Sequence, residues 1–346
     1  MNPPRVTVLM SVHNGGRWLR AAMHSVLAQT WADFEFLILD DASTDDSVAQ
    51  IEAVHDERIR LIRLPENVGL TRSLNCGLHA ARGEIIARQD SDDLSSPERL
   101  AKQIAFLDRH PEVAVVGAQA RLIDAEGRSR GDRDLPLEPA SIRWLSVLEN
   151  PVIHTAATFR ARIIRDELGG YDESFPCCQD YDLWARVLAR RDVRNLPERL
   201  VQVREHGGSI SATRGAEAAA MVERVVRRLA PEFSAEEIAL AGAFRRHLVP
   251  EEVPAFRELV ARWDSVRSAP GALQHADLAM TRAQVLVRVG YNLLTRDRRL
   301  AVRQLADAVR MDPRVAKRIP WLRVAALLLL GASARRWAGR ERGTDL

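Results

Sequence analysis

The sequence predicts an α/β fold in which a mostly parallel β-sheet is flanked by helices and followed by an α-helical C-terminal region. Apolar runs alternate with amphipathic segments through the first hundred residues, which is typical of strand–helix–strand repeats. The runs are almost continuously apolar, so the strands are expected to be buried on both faces, as in parallel sheets. From about residue 215 the composition becomes rich in Ala, Arg, Leu and Val, which favours helix.

The first four strands and the helices between them can be assigned from these patterns. The strands are VTVLMSV (6–12), FEFLILDD (34–41), IRLIRL (59–64) and EIIARQD (84–90). The intervening helices are RWLRAAMHSVLAQT (17–30), DDSVAQIEAV (45–54) and GLTRSLNCGLHAA (69–81). In parallel sheets ligands bind at the carboxyl ends of the strands. Two acidic pairs, at 40–41 and 92–93, follow such ends and mark this edge as a candidate site.

The next hundred residues are expected to complete the same domain. Ser95 or Ser96 is expected to cap a helix that contains Pro97 and runs to about His110, with Glu98 closing a capping box if Ser95 is the cap. A strand over 112–124, a turn over 126–132 and a short helix over 141–149 follow. A strand, a helix, a Gly-Gly turn and a loop then lead to Asp180 at the head of an amphipathic helix. We place the domain boundary between residues 214 and 215, giving domains 1–214 and 215–346.

Charge and cysteine content restrict the function classes. Residues 1–214 carry 27 basic and 32 acidic side chains, whereas residues 215–346 carry 23 and 15. The basic excess suits a membrane surface, an acidic partner or nothing more than a solvated surface. The aromatic stacking pattern of nucleic-acid binding is missing, so no nucleic-acid partner is expected. Cys76, Cys177 and Cys178 match neither a disulfide framework nor a metal-ligand spacing, which favours a reducing compartment.

The acidic cluster after the fourth strand is the feature that folding alone does not explain. Asp90, Asp92 and Asp93 lie within four residues and repel one another, and such oxygen-rich clusters suit Mg²⁺ or Mn²⁺. A surface loop could carry the same run, but the apolar strand before it argues against that. Neither GxGxxG after the first strand nor GxxxxGK[ST] is present. A glycosidase carboxylate pair stays open, although it would not explain Asp40 and Asp41.

Three segments together resemble family 2 glycosyltransferases with the GT-A fold. They are VTVLMSVHNGGRWLRAAMHSVLAQTWADFEFLILDDASTDDS, NVGLTRSLNCGLHAARGEIIARQDSDD and GGYDESFPCCQDYDLWARV, which follow one another in the order of the family. The resemblance extends from about Val6 to Ala212. It implies an inverting hexosyltransferase that uses a nucleotide-diphosphate sugar, with a uridine-based donor.

The resemblance implies a nucleotide-sugar site built from the first half of the chain. Ser11, Val12 and His13 would line the base, and Asp41, with Asp40 beside it, would accept a hydrogen bond from it. Asn67, Gly69 and Arg72 would belong to a loop that closes over the nucleotide. Asp40 could instead serve a turn or a cap, and Arg72 could be a solvated helix residue.

The resemblance also implies the metal ligands and the general base. DSDD resembles the DxD element, with Asp93 as the main ligand of Mn²⁺ or Mg²⁺ and Asp92 near the ribose or the metal. Asp90 would orient Arg88, whose guanidinium suits a diphosphate or the base. Asp180 in QDYDLWAR would be the general base, with Gln179 where the family often has Glu. His206 would meet the metal or the diphosphate, with a structural role as the alternative, and His154 is a weaker candidate on the acceptor side.

The remaining expectations concern partners and location. Many members of this family build surface polysaccharides, so the acceptor is expected to be a glycan or a lipid-linked oligosaccharide. The apolar segment 324–334 is too short to span a bilayer, and it is bracketed by Trp and Arg, so it suits either a membrane interface or a buried terminal helix. No signal peptide is visible. We therefore expect a cytoplasmic protein that contacts the inner face of the membrane through its tail. A catalytically inactive scaffold of the same fold is the alternative.

Overall fold

The computed structural model of the protein describes residues 3–207, 215–246, 248–267 and 276–319. Its backbone divides into two compact units, Met1–Ser146 with Asn150–Leu229, and Val147–Glu149 with Ala230–Leu346. The helix Gly215–Leu229 thus groups with the first unit, whereas the boundary expected from the sequence places it in the C-terminal region.

The first unit is organised by a mixed sheet of nine strands among the described residues. The strands are β1 (Val6–Val12), β2 (Phe34–Asp40), β3 (Ile59–Arg63), β4 (Ile85–Gln89), β5 (Leu94–Ser95), β6 (Val113–Ile123), β7 (Ser129–Arg133), β8 (Thr158–Arg160) and β9 (Asp192–Arg204). Their order is β3-β2-β1-β4-β8-β6-β9-β5, with β7 paired to β6. The first four strands are parallel, as expected from the strand–helix repeats.

The register of the parallel strands determines where the acidic residues lie. Val12 at the end of β1 is paired with Asp40 at the end of β2, and Met10 is paired with Gln89 at the end of β4. The residues that follow these strands, including Asp41 and Asp90, therefore emerge from the same edge of the sheet. β1, β2 and β4 are buried along their whole length, because helices cover both faces.

The second half of the sheet depends on pairings between distant segments. β8 runs antiparallel to β4 and β6, and the long strand β9 runs parallel to β6. Residues Leu94 and Ser95 form the short strand β5, which pairs antiparallel with Val201 and Gln202 of β9. β9 therefore brings residues near 204 to the acidic segment that follows β4.

One local expectation was wrong and a second was right only in part. Ser95 lies in β5, where its Oγ donates to Gln89 Oε1 at 2.6 Å, and the next helix begins at Arg99 without a side-chain cap. The pairing with β9 replaces the capping box, because it uses the same residues in extended conformation. The segment expected as a turn contains β7, which forms a hairpin with β6 around Gly127.

Helices cover the sheet and complete the first unit. They are α1 (Leu19–Leu27), α2 (Ser47–Glu52), α3 (Leu70–Ala80), α4 (Arg99–Arg109), α5 (Pro139–Leu145), α6 (Gln179–Leu188) and α7 (Gly215–Leu229). One face of α1 buries Leu19, Ala22, Met23 and Val26, as its periodicity predicts. A shared core joins Leu9 of β1 and Leu37 of β2 with Leu74 of α3 and Trp184 of α6. The core thereby fixes the helices that carry site residues relative to the strands.

The described part of the second unit is helical, as the composition predicts. Its helices are α8 (Ala235–Arg246), α9 (Val253–Arg267), α10 (Ala276–Leu293) and α11 (Arg298–Met311). Phe244 stacks on Phe256, and Phe233 packs edge-on against Trp263, which joins α8 and α9. Among the described residues no helix combines the length and apolar character that crossing a bilayer requires. Segment 324–334 lies outside the described residues, so its membrane contact stays a prediction.

Candidate active site

The end of β4 carries a buried arginine paired with the first aspartate of the acidic cluster. Arg88 has no exposed surface, and it donates to Leu9 O at 3.1 Å, to Gln89 O and to Asp90 Oδ1 at 2.5 Å. This is the ion pair expected from the sequence. Because the guanidinium is enclosed, however, the structure does not present it to a diphosphate or a base. Arg88 acts by holding Asp90.

Asp92 and Asp93 are held by residues at the end of β9. Asp93 is 4% exposed, and its Oδ1 accepts from Arg204 N at 2.7 Å. The side chain of Arg204 donates to Asp92 O at 3.0 Å. Asp92 Oδ2 lies 2.9 Å from His206 Nε2. The structure therefore places His206 in contact with Asp92, and it joins Asp92 and Asp93 through Arg204.

Burial and mutual repulsion raise the pKa of both carboxyls. The pKa of Asp92 is raised by burial and by the charge of Asp90, against the opposing effect of His206. The pKa of Asp93 is raised well above its usual range by burial, then by the charges of Asp90 and Asp92. A divalent cation would offset this repulsion, and oxygen ligands suit Mg²⁺ or Mn²⁺. In this respect the donor set fits the expected metal.

The geometry does not form a complete protein cage. Within the described ranges, no group of three His, Cys, Asp or Glu side chains is arranged to hold an ion. Mg²⁺ usually keeps several waters and shares substrate phosphates, and one or two carboxylates then suffice. The site therefore fits a metal that is completed by its substrate.

The residues expected to line the nucleotide are arranged around Asp41. Asp41 is buried, and its two carboxylate oxygens accept from Val68 N at 2.8 Å and Gly69 N at 2.9 Å. Its backbone N donates to Val12 O at 2.7 Å, and its carbonyl O lies 2.8 Å from His13 Nδ1. The carboxylate expected to meet a base thus also fixes the loop that precedes α3.

Several other residues expected to bind the nucleotide lie around this loop. Asn67 Oδ1 accepts from Gly69 N at 3.0 Å, and its Nδ2 lies 3.0 Å from His13 Nδ1. Gly69 has φ +84°, a left-handed value that favours glycine. Ser11 Oγ donates to Ser73 Oγ at 2.8 Å, which ties β1 to α3. These contacts bring the end of β1, Asp41 and the 67–69 loop together.

Asp40 and Arg72 have contacts that match the alternatives considered for them. The Asp40 carboxylate is buried and accepts from Ser43 N at 3.3 and 3.4 Å, which is a turn contact. Arg72 is exposed on α3 and donates to Glu173 Oε2 at 3.1 Å. Its guanidinium is thereby paired on the surface, away from the 67–69 loop contacts.

Asp180 lies in the first turn of α6, which begins after a left-handed residue. Cys178 has φ +57°, and the buried Gln179 follows it as the first helical residue. Asp180 Oδ2 accepts from Asn150 Nδ2 at 2.7 Å. Asp182 is fully buried and accepts from Arg186 Nε at 2.8 Å and from Arg228 of α7. These contacts support the structural role considered for Asp182 and fix α6 against α7.

His154 lies between the acidic end of β4 and Asp180. Burial lowers its pKa to about 4, with a further lowering by the charge of Arg88, while Asp180 and Asp90 act in the opposite direction. Its Nε2 is 2.9 Å from the hydroxyl of Tyr171, whose pKa burial raises. The charges of Arg88, Asp90 and Asp180 act on both rings. The segment that carries His154 contacts both places, because Thr155 Oγ1 accepts from Asp90 N at 3.0 Å and Asn150 Nδ2 donates to Asp180 Oδ2 at 2.7 Å.

The lowered pKa of His154 predicts a pH dependence of stability. Its ordinary pKa of 6.5 in the unfolded chain means that the unfolded state takes up a proton first on acidification. The free energy of unfolding should therefore fall between pH 6.5 and 4, by about 2 kcal/mol from pH 7 to pH 5. Urea unfolding at both pH values checks this, comparing wild type with His154→Gln. In His154→Gln the free energy of unfolding should fall less between pH 7 and pH 5, whereas His55→Gln, at an exposed position, should show the wild-type fall. An equal fall in all three proteins would contradict the prediction.

Four supporting residues were missed by the sequence reasoning. Thr155 Oγ1 accepts from Asp90 N at 3.0 Å, and its side chain also hydrogen-bonds Asp93. Arg204 donates to both Asp92 and Asp93. Asn150 donates to Asp180. Trp18 packs its ring against His206 at 4.3 Å. Each belongs to a segment distant from its partner, so no local spacing signals the contact. Asn150 alone has a local signal in the sequence: it precedes Pro151, and the residue before a proline rarely continues a helix.

Comparison with known proteins supports the fold and the activity. Residues 7–168 match the family model described as Glycosyl transferase family 2. The Bacillus subtilis (strain 168) protein named "Putative glycosyltransferase EpsE" is 36% identical over 260 residues, covering 72% of this chain and 91% of EpsE. The chain belongs to glycosyltransferase family 2.

Two further comparisons place this family 2 glycosyltransferase among its relatives. The amylovoran biosynthesis glycosyltransferase AmsE of Erwinia amylovora is 31% identical over 215 residues, covering 60% of this chain and 79% of AmsE. The crystal structure of S. aureus TarS 1-349 in complex with UDP-GlcNAc covers 91% of this chain and 92% of its own, with 16% identity and a TM-score of 0.54. The likeness of the folds confirms the expected GT-A architecture.

Proposed function

We propose that this family 2 glycosyltransferase transfers a sugar from a nucleoside-diphosphate donor, uridine-based, to a hydroxyl of a glycan or lipid-linked acceptor, with inversion at the anomeric carbon. The observation that carries the proposal is that segment 150–155 contacts both the acidic end of β4 and Asp180: Thr155 Oγ1 accepts from Asp90 N at 3.0 Å, and Asn150 Nδ2 donates to Asp180 Oδ2 at 2.7 Å. A donor diphosphate and an acceptor hydroxyl would thereby meet within one site. The UDP-GlcNAc in the complex of TarS, which has the same fold, supports the choice of donor.

In this mechanism Asp180 is the general base. Its carboxylate takes the proton of the acceptor hydroxyl as that oxygen attacks the anomeric carbon. The bond from the anomeric carbon to the diphosphate oxygen breaks on the opposite face, and the nucleoside diphosphate leaves with the electron pair. A single displacement of this kind inverts the anomeric configuration. Asn150 and the buried start of α6 fix where the carboxylate lies.

The donor side of the mechanism depends on the ends of β1, β2 and β4. Asp41 orders the 67–69 loop and contributes to the base site beside His13. Asp92 and Asp93 would hold Mn²⁺ or Mg²⁺, with His206 beside them, and a bound cation would stabilise the charge of the leaving diphosphate. Arg204 keeps the two carboxylates in place through its backbone N–H and its side chain.

The acceptor and the location are proposed from the relatives and the sequence. AmsE is named for amylovoran biosynthesis, which supports a role in bacterial surface polysaccharide synthesis. Such an acceptor would be carried on a lipid at the cytoplasmic face of a membrane. The basic end of the chain would then make peripheral contact with that face.

A thermal-shift panel tests the donor class. Nucleoside diphosphates and their sugars are added to the full chain, with and without Mn²⁺. Uridine ligands should raise the melting temperature in a Mn²⁺-dependent way, because ligand binding stabilises the native state by mass action. Guanosine, adenosine and thymidine counterparts serve as matched controls. A protein that responds to none of the nucleotides would contradict the proposal.

A further inference from the structure

We propose that Asn150 is the positioning residue of the general base, holding one oxygen of the Asp180 carboxylate so that the other faces the acceptor hydroxyl. The inference rests on the proposed function, since it deepens the role of the same carboxylate. Its direct support is the hydrogen bond that Asn150 Nδ2 donates to Asp180 Oδ2 at 2.7 Å. An amide that donates to a carboxylate makes a charge-assisted bond with a defined direction.

Asn150 is itself held by its neighbours in the chain. Its Oδ1 accepts from Val152 N at 3.3 Å, which orients the amide with its Nδ2 toward Asp180. Pro151 follows Asn150 and restricts the backbone of both residues. Val152 is 1% exposed and belongs to the main core of the first unit. The side chain of Asn150 therefore projects from a fixed backbone.

A buried asparagine on β9 connects this backbone to the sheet. Asn195 Nδ2 donates to Pro151 O at 3.0 Å and to Pro136 O at 2.7 Å. The approach of Asn195 to β6 requires glycine at position 117, because a Cβ there would lie 2.1 Å from Asn195 Oδ1. A continuous set of contacts thus runs from the centre of the sheet through Asn195 and Pro151 to Asn150 and the base.

The chemistry of an amide suits this position better than a charged donor. A neutral donor orients the carboxylate without placing a second charge beside it. The charge of Asp180 acts on His154 and Tyr171, and Asp182 with its partner Arg186 lies on the same helix. Within the part of the chain that the structure describes, the bond from Asn150 reaches the Asp180 carboxylate from outside its own helix.

The first test uses kinetics with water as the acceptor. Release of nucleoside diphosphate from UDP-sugars is measured for wild type, Asn150→Ala, Asn150→Asp and, as a matched control in the second unit, Asn292→Ala. Asn150→Ala should lower kcat about 10- to 100-fold, the loss expected for a hydrogen bond to a charged group, with the donor KM within twofold of wild type. Asn150→Asp should lower kcat at least as far, because a second carboxylate then faces the base instead of an amide donor. Asn292→Ala should match wild type.

A second measurement separates this inference from the proposed function. Wild type, Asn150→Ala, Asp180→Asn and the double variant are compared by kcat and by the free energy of unfolding in urea. If Asn150 acts through Asp180, Asn150→Ala should have little further effect on either quantity once Asp180→Asn is present, whereas independent effects of the two substitutions on both quantities overturn the positioning role. A wild-type protein that turns over no donor overturns the proposed function, and the urea comparison still decides whether Asn150 holds the carboxylate.

Discussion

Asp180→Asn should lower the turnover number by about 10²- to 10⁴-fold, the range that general base catalysis contributes, while donor binding persists. Asparagine has nearly the same shape as aspartate, and its amide oxygen can still accept from Asn150 Nδ2. The start of α6 should therefore keep its conformation. What is lost is the ability to take the proton of the acceptor hydroxyl.

Two measurements on the same protein check this result. Turnover is followed as release of nucleoside diphosphate, and donor binding is followed as the thermal shift caused by the nucleotide. Asp166→Asn, an exposed carboxylate paired with Arg165, is the matched control and should behave as wild type. An Asp180→Asn protein with wild-type turnover would exclude Asp180 as the base, and one without a nucleotide shift would mean that it shapes the donor site instead.

Asp93→Asn should remove the Mn²⁺-dependent part of the nucleotide-induced stabilisation without destabilising the metal-free protein. The Asp93 carboxyl is buried near Asp90 and Asp92, and this environment raises its pKa well above the usual range. Removing its charge removes that repulsion, while the asparagine Oδ1 can still accept from Arg204 N. The metal-free variant should therefore melt at or above the wild-type temperature. When Mn²⁺ is at about 100 times its dissociation constant for the nucleotide complex, its binding should add about 2.7 kcal/mol to the free energy of unfolding of wild type, and the variant should lose this contribution.

The experiment is a thermal shift in four conditions, with nucleotide and Mn²⁺ each present or absent. Asp33→Asn, an exposed carboxylate before β2, is the control for the loss of one negative charge. If Asp93 is a metal ligand, the variant should melt at or above the wild-type temperature without Mn²⁺ and below it with nucleotide and Mn²⁺. A general loss of stability would lower the melting temperature in all four conditions. If Asp93→Asn shows the wild-type response to Mn²⁺, then Asp93 is not a metal ligand.

The sequence was sufficient for the parallel half of the sheet and insufficient for the rest. β1, β2 and β4 are rich in apolar residues and buried along their length, and helix α1 has one apolar face, so the sequence pattern and the order of the elements predict how these strands pair. Ser95 shows where this reasoning stops. Its local pattern favours a helix cap, but pairing with β9, more than a hundred residues later, stabilises an extended conformation. The local sequence around Ser95 therefore cannot predict this pairing, because the partner strand is far away in the chain.

Some residues of the candidate site could likewise be predicted from the sequence, whereas others required the structure. The acidic pairs at 40–41 and 92–93 are indicated by their place at the carboxyl ends of predicted strands, whereas the roles of Asp41 and Asp180 came from the resemblance to family 2 glycosyltransferases. Asn150 and Arg204 could not be predicted, because an asparagine and an arginine are common on surfaces and their partners lie 30 and 111 residues away. The burial of Arg88 also required the structure, since an arginine inside an apolar strand can face either the core or a ligand.

The late position of β9 in the chain has a consequence for synthesis. β6 is apolar and buried from Val113 to Ala120, and β9 covers it by parallel pairing. During translation β6 leaves the ribosome about eighty residues before β9, so an unpaired apolar edge is exposed for several seconds at ordinary elongation rates. Over the same interval Asp93 lacks the backbone N–H of Arg204. The nascent enzyme is therefore most exposed to aggregation, and without its metal-side geometry, until its ninth strand has been made.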